Sequence, residues 1–306
     1  MLTVSNYHYI RPNFKTKFKS IFGVTPIEFK EQLLVLKMSG DFVRQDELLC
    51  NYDEIVASNK IFYFITFDDG LKEQYQYALP ILDELKIPAV LFANSRNYED
   101  KKVSTVHKVH LLRSILSTKK IRIALANQSN SIQLLDADFL KAQNIYVYDD
   151  QESAALKYLL NYKLDFNIQE ATISALFDEH FDEKSVIKEL YMNEEEIIDL
   201  SKRGYLGSHT HNHYPLGLLD KESIKFELQN SKSYFENLTN SKIEMVAYPY
   251  GSPEASTAEV ASIAKDLGYK LGFTTTRGIN TKENDKLLLN RFDCNDLLGG
   301  KNYKAK

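Results

Sequence analysis

The chain has 306 residues, 43% of them hydrophobic and 26% charged, which is enough apolar material for one large α/β domain or a core domain carrying an insertion. Its 38 basic and 42 acidic residues leave a net charge of -4, a balance that gives no reason to expect nucleic acid or an anionic membrane as partner. The two cysteines, Cys50 and Cys294, stand far apart and in no metal-ligand spacing; they read as free thiols in a reducing compartment.

Residues 2–10 alternate enough to predict a strand ending near His8. This N-terminal stretch lacks the apolar core of a secretory signal, and no apolar run reaches the length of a membrane span, so the expected location is the cytoplasm. Thr25-Pro26-Ile27-Glu28 has the form of a capping box with proline at the first helical position. Phe29, Leu33 and Leu36 give the helix that follows an apolar stripe, and Gly40 ends it. IFYFITF at 61–67, between Asn59-Lys60 and Asp68-Asp69-Gly70, is a continuous apolar run and predicts a fully buried strand. An amphipathic helix over 71–86 and the strand PAVLFAN complete a βαβ unit, which implies a parallel sheet.

From residue 97 to 192 the texture is mainly helical, as in HKVHLLRSIL, ESAALKYLLNYKL, IQEATISALFDEHF and DEKSVIKELY. We read this as an insertion into a domain made of residues 1–96 and 193–306. The alternation then resumes with a helix capped by Asn193, the strand YLGSH and a helix over 220–239. The strand EMVAYPY, a helix over 254–267, and the strands KLGFTTT and KLLLNRFD follow, without repeats or low-complexity tracts.

Three stretches carry chemistry. In ITFDDG two adjacent carboxylates end a buried strand, where like charges repel. A turn would account for Asp-Asp-Gly; so would a metal held by one aspartate while the other serves as a base. GSHTHNHYP at 207–215 places three of seven histidines within five positions. On a strand, 209, 211 and 213 point the same way; on a helical turn 209 and 213 share a face, and spacing alone does not choose. Two histidines and one carboxylate suit zinc with an open position, and cobalt or nickel fits nearly as well. His107, His110 and His180 read as core or surface side chains. VAYPYG at 246–251 is a strand end with a tight turn, suited to a backbone amide aimed at developing negative charge and to aromatic walls from Tyr248 and Tyr250.

Together these residues resemble the polysaccharide deacetylase family, carbohydrate esterase family four, whose members remove N-acetyl groups from amino sugars. TFDDG at 66–70 looks like the first motif, HTHNH at 209–213 the second, and AYPYG at 247–251 a variant of the third. The resemblance covers about residues 1–95 and 195–295. It implies a distorted (β/α) barrel of about seven strands with a mainly helical insertion, its site at the C-terminal strand ends. It makes Asp68 the general base, and Asp69, His209 and His213 the ligands of a divalent metal, zinc above cobalt or nickel. Thr210 would brace the loop, Tyr250 would supply a backbone N–H for the oxyanion, and His211 falls where the family binds no metal.

Two departures stand out. Where the third motif usually begins with an arginine the chain has Ala247, and Arg291 in LLLNRFD is the substitute expected to reach the base. No histidine follows His213, although the family's last motif ends in a general-acid histidine. LTVSNYHYI delivers His8 where a closing barrel strand would, resembling the circularly permuted branch that includes the bacterial poly-N-acetylglucosamine deacetylases. His8 is therefore the expected acid. The implied substrate is an N-acetyl or N-formyl amino sugar, nucleotide- or lipid-linked if the chain acts in the cytoplasm on surface-glycan precursors. The insertion is expected to act as a lid, a specificity wall or a contact in a homo-oligomer. A non-catalytic sugar-binding protein on the same fold, and a metal amidohydrolase for a non-sugar amide, are the alternatives.

Overall fold

The computed structural model describes residues 1–16, 23–128, 134–147 and 149–304. The chain forms two compact units, one of Met1–Phe14, Phe22–Lys102 and Ile187–Lys306 and the other built on Val103–Val186.

In the first unit β1 (Leu2–Tyr7) precedes α1 (Pro26–Ser39), β2 (Asp41–Phe42), α2 (Gln45–Ala57) and β3 (Phe62–Phe67). A π-helical turn (Gln74–Ala78) runs into α3 (Leu79–Leu85), followed by β4 (Ala89–Ala93) and the short α4 (Arg96–Glu99). The second unit holds α5 (Thr105–Ile115), α6 (Thr118–Gln128), α7 (Asp136–Ile145), α8 (Gln151–Tyr158), a π-helical turn at Leu159–Lys163, and α9 (Phe166–Asp178). Through α10 (Glu183–Leu190) the chain returns to the first unit, which adds α11 (Glu194–Lys202), β5 (Leu206–Ser208), α12 (Lys221–Thr239), β6 (Met245–Ala247), α13 (Ala258–Asp266), β7 (Leu271–Phe273) and β8 (Phe292–Asp293).

The strands of the first unit form one sheet in the order β7-β6-β5-β4-β3-β1-β8, every pairing parallel, with β2 on β3 off this path. This is a curled, distorted (β/α) barrel. The predicted strand KLLLNRFD is shorter than expected because it changes partner: Leu289 bridges Phe273, and three residues later Phe292 pairs with Ser5. No single ladder is long, but the segment spans the gap between the two ends of the sheet.

Alternation along the strands sorts two cores. Phe64, Val90, Phe92, Ala247 and Phe273 form an inner cluster with Leu48, Tyr52, Ile55 and Val56 of α2. Tyr63, Ile65, Phe67, Leu91 and Val246 point the other way, against Phe29 and Leu33 of α1, Ile197 of α11 and Leu228 of α12. Gly207 is needed in β5 because a Cβ there would lie 2.3 Å from the Phe92 ring. The capping boxes at Thr25 and Asn193 are both formed. The helix expected from 254 begins at 258, because Thr257 is its N-cap.

The second unit is all helical in its described residues: α7 packs on α8, and α9 on α5 and α6. Its interior includes Leu112, Ile121, Leu125, Leu156, Ile173 and Phe177. The buried Lys108 is paired with Glu183 at 2.8 Å.

Candidate active site

The β1/β3 ladder runs to Tyr7 opposite Phe67, and the Asp68 N–H extends it by donating to the Tyr7 carbonyl at 3.0 Å. His8, Asp68 and Asp69 therefore emerge side by side at the C-terminal end of neighbouring strands. On the other side of the sheet, the His209 N–H donates to the Ala93 carbonyl at 2.8 Å as β5 ends. Its ring Nδ1 lies 2.7 Å from the Ala247 carbonyl at the end of β6. Strand pairing alone thus converges the three sequence motifs.

Neither a strand nor a helix carries the histidines. Ser208 ends β5, and the chain turns through Thr210 (φ 65°) and His213 (φ 62°). Seven non-glycine residues have left-handed φ among the described residues, and four of them, Asp69, Thr210, His213 and Tyr250, belong to the three motifs. Such conformations are costly away from glycine and concentrate where geometry serves a site.

That turn directs His209 and His213 at one carboxylate oxygen. Their Nε2 atoms lie 3.5 and 3.3 Å from Asp69 Oδ1, and all three residues are buried. Among the described residues, this is the one group of three acidic, histidine or cysteine side chains able to converge on an ion. The donor set fits a divalent metal: one carboxylate and two imidazoles. With its Nδ1–H donated to the Ala247 carbonyl, His209 offers the Nε2 lone pair to the centre. Burial pushes His209 down to about 4, against the opposing pull of Asp68, so its ring is neutral, as a ligand must be.

Asp68 sits beside this group in a different setting. Burial by itself would raise its carboxyl, but Arg291, then His209 and His8, hold it below the usual carboxylate range. Arg291 is itself buried. Its Nη1 and Nη2 each lie 2.8 Å from one Asp68 oxygen, its Nε donates to the Thr274 carbonyl at 2.8 Å, and Nη1 approaches Thr66 Oγ1 at 3.3 Å. The His8 side chain is 41% exposed, and its Nε2 is 3.9 Å from Asp68 Oδ2.

Other expected residues fall elsewhere. Tyr248 is wholly buried in the outer core, its hydroxyl without a partner among the described residues, so it forms no wall for a sugar. The alternation that turns Met245 and Ala247 to the inner cluster turns Val246 and Tyr248 to the outer one. Tyr250, two residues on, stacks edge-on against His213 at 5.2 Å. Thr210 is also wholly buried, which keeps its side chain from substrate. Its hydroxyl has no partner among the described residues, and it braces the loop through its backbone: its N–H donates to Ser208 Oγ and its carbonyl accepts from the Ser95 N–H. His211 points away from Asp69, to Ser95 Oγ (2.8 Å), Asn230 Nδ2 (3.1 Å) and, at 3.5 Å, Asp100.

Two residues were not singled out from sequence. Buried Glu227 of α12 accepts the His211 and Asn212 N–H groups at 3.1 and 2.7 Å and the Asn212 side-chain amide. A signal for it exists: it interrupts the stripe Ile224, Leu228, Phe235 on the buried face of α12, where a lone carboxylate needs a reason. Gln74, wholly buried, donates to the carbonyls of His8 and Asp68. No motif marks it.

The family model for polysaccharide deacetylases matches residues 56–128 and 148–272, well over half of the chain. His8 and Arg291 lie outside that match. YxkH of Bacillus subtilis (strain 168) is 25% identical over 123 residues, 40% of this chain and 43% of its own, so the alignment spans less than half of that relative. Among solved structures, the Streptococcus pyogenes deacetylase PplD in complex with acetate has a similar fold, with a TM-score of 0.58 at 18% identity, covering 95% of this chain and 91% of PplD. IcaB from Ammonifex degensii gives a TM-score of 0.57 at 17% identity, over 95% of this chain and 91% of that one. With the Asp-Asp and His-x-x-x-His motifs meeting at the strand ends inside the matched region, the chain belongs to the polysaccharide deacetylase family.

Proposed function

We propose that the protein hydrolyses the N-acyl group, acetyl or formyl, of an amino sugar in a metal-dependent reaction. The observation that carries this reading is the convergence of Asp69, His209 and His213 beside an Asp68 gripped by Arg291. Asp69, His209 and His213 would hold a divalent ion, zinc by preference, with cobalt or nickel fitting nearly as well. Such an ion supplies Lewis acidity, making water a competent nucleophile near neutral pH and favouring negative charge on an acyl oxygen.

The chain's own groups then divide the proton transfers. Asp68, kept ionised by Arg291, takes a proton from the water that attacks the amide carbon. The Tyr250 N–H serves as a donor to the oxygen on which charge develops. His8, protonated, gives its proton to the amide nitrogen as the carbon–nitrogen bond breaks, so the products are a free amino sugar and acetate or formate. For residues 97–192 the role we favour is a lid, a specificity wall or a dimer contact. The substrate we favour is a nucleotide- or lipid-linked precursor sugar in the cytoplasm. Among the described residues, no helix is long and apolar enough to cross a membrane.

The test is a panel of free, nucleotide-linked and lipid-linked N-acetyl and N-formyl amino sugars, offered to chelator-treated protein with and without restored zinc, cobalt or nickel. Acetate or formate should appear with the matching free amine only when the metal is restored. A panel that yields neither acid with any of the three metals contradicts the reading.

A further inference from the structure

We infer that Gln74 is the positioning residue that sets the spacing between the acid His8 and the base Asp68, a role that rests on the proton-transfer reading above. Past the Asp68 N–H to Tyr7 bond, β1 and β3 have no further ladder to keep their chains in register. Gln74 takes over at that point. Its Nε2 donates to the His8 carbonyl at 2.9 Å and to the Asp68 carbonyl at 2.6 Å. Two hydrogens of one planar amide thus tie the two carbonyls together at a fixed separation.

Three further observations favour this over simple packing. The Gln74 Oε1 is buried without a hydrogen-bond partner among the described residues. A methionine or leucine would fill similar space without that cost, so the amide is there for its donors. Gln74 also opens a π-helical turn, Gln74–Ala78, a local departure from α-geometry that recurs at functional sites. Finally, the His8 ring is partly exposed and its 3.9 Å approach to Asp68 is beyond hydrogen-bond range, so its placement must come through the backbone. The neighbouring Glu73 ties the start of the same turn to the chain three residues beyond His8, accepting from Arg11 Nε at 2.7 Å.

The test separates positioning of the acid from support of the fold by changing the leaving group. An N-acetyl amino sugar needs its nitrogen protonated; 4-nitrophenyl acetate releases a stable phenolate and does not. Gln74→Met and Gln74→Asn, the latter too short to reach both carbonyls, are compared with His8→Ala and wild type for both reactions and for bound zinc. Amide turnover should fall about 10-fold or more in both Gln74 variants, with ester turnover and zinc content close to wild type. A parallel fall of amide and ester turnover, or no fall at all, overturns the role of Gln74. If His8→Ala itself keeps full amide turnover, the acid reading fails and the Gln74 role fails with it. If His8→Ala loses amide turnover while both Gln74 variants keep it, only Gln74 is wrong.

Discussion

Arg291 meets Asp68 edge to edge, each of its two terminal nitrogens 2.8 Å from one carboxylate oxygen, with both side chains buried. The guanidinium fork fixes the plane of the carboxylate as well as its charge, which a lysine would not do. It also has consequences for folding. Arg291→Met leaves a buried carboxylate unpaired and should destabilise the protein by about 3–5 kcal/mol, read by urea denaturation at pH 7. Since the folded Asp68 is held below its ordinary value, the stability the pair adds is present above the unfolded carboxylate pKa, about 3.9, and is lost as pH falls through the lower folded value. The difference between wild type and Arg291→Met should therefore shrink in strong acid. A variant as stable as wild type at pH 7 removes the pair's structural weight.

His209 should titrate far from an ordinary histidine. In the metal-free protein its ring signals in NMR should move with a midpoint near 4. With the folded value below the unfolded one, stability is full above about 6.5 and declines as pH falls from there through the folded value. The linked loss is up to about 3 kcal/mol. A midpoint near 6.5 would mean that the ring is neither buried nor held as described.

Glu227 gives a prediction independent of catalysis. Glu227→Ala strands two backbone N–H groups between the metal-directed histidines, at a cost of about 1–3 kcal/mol each. Zinc affinity, measured by competition with a chelator, should weaken together with thermal stability. Glu227→Gln retains one acceptor oxygen for those groups and should recover most of both. Equal behaviour of the two variants would show that the hydrogen bonds do not shape the loop.

For His8 the expected result is selective. His8→Ala should bind zinc as wild type does and lose about 100-fold or more in amide turnover. Near-normal turnover with metal bound would reassign the proton donor.

Much of this arrangement is legible in the sequence, for physical reasons. A parallel sheet buried on both faces writes continuous apolar runs such as IFYFITF, and strand ends followed by Asp-Asp-Gly or His-Thr-His announce a site. His8, Asp68, Asp69, His209, His213 and Arg291 do come together. What could not be read is what depends on side-chain direction at the ends of elements. Whether 209 and 213 share a face was open because two left-handed residues, Thr210 and His213, make a turn that is neither strand nor helix. Tyr248 sits inside because of a parity that the short run VAYPYG does not fix. Glu227 and Gln74 act through backbone groups; Glu227 shows only as a carboxylate on an apolar helix face, and nothing in residue type names the backbone partners of either. The strand KLLLNRFD reads longer than it is because changing partner between β7 and β1 costs nothing in apolar pattern.

The most direct measurement of the central claim is a titration of zinc into chelator-stripped protein while acetate or formate release from an N-acyl amino sugar is followed. Release should start from near zero and saturate at about one ion per chain, and Asp69→Asn, His209→Ala and His213→Ala should each abolish both the binding and the rise. Full release by the stripped protein, or an unchanged titration in those variants, would contradict the account.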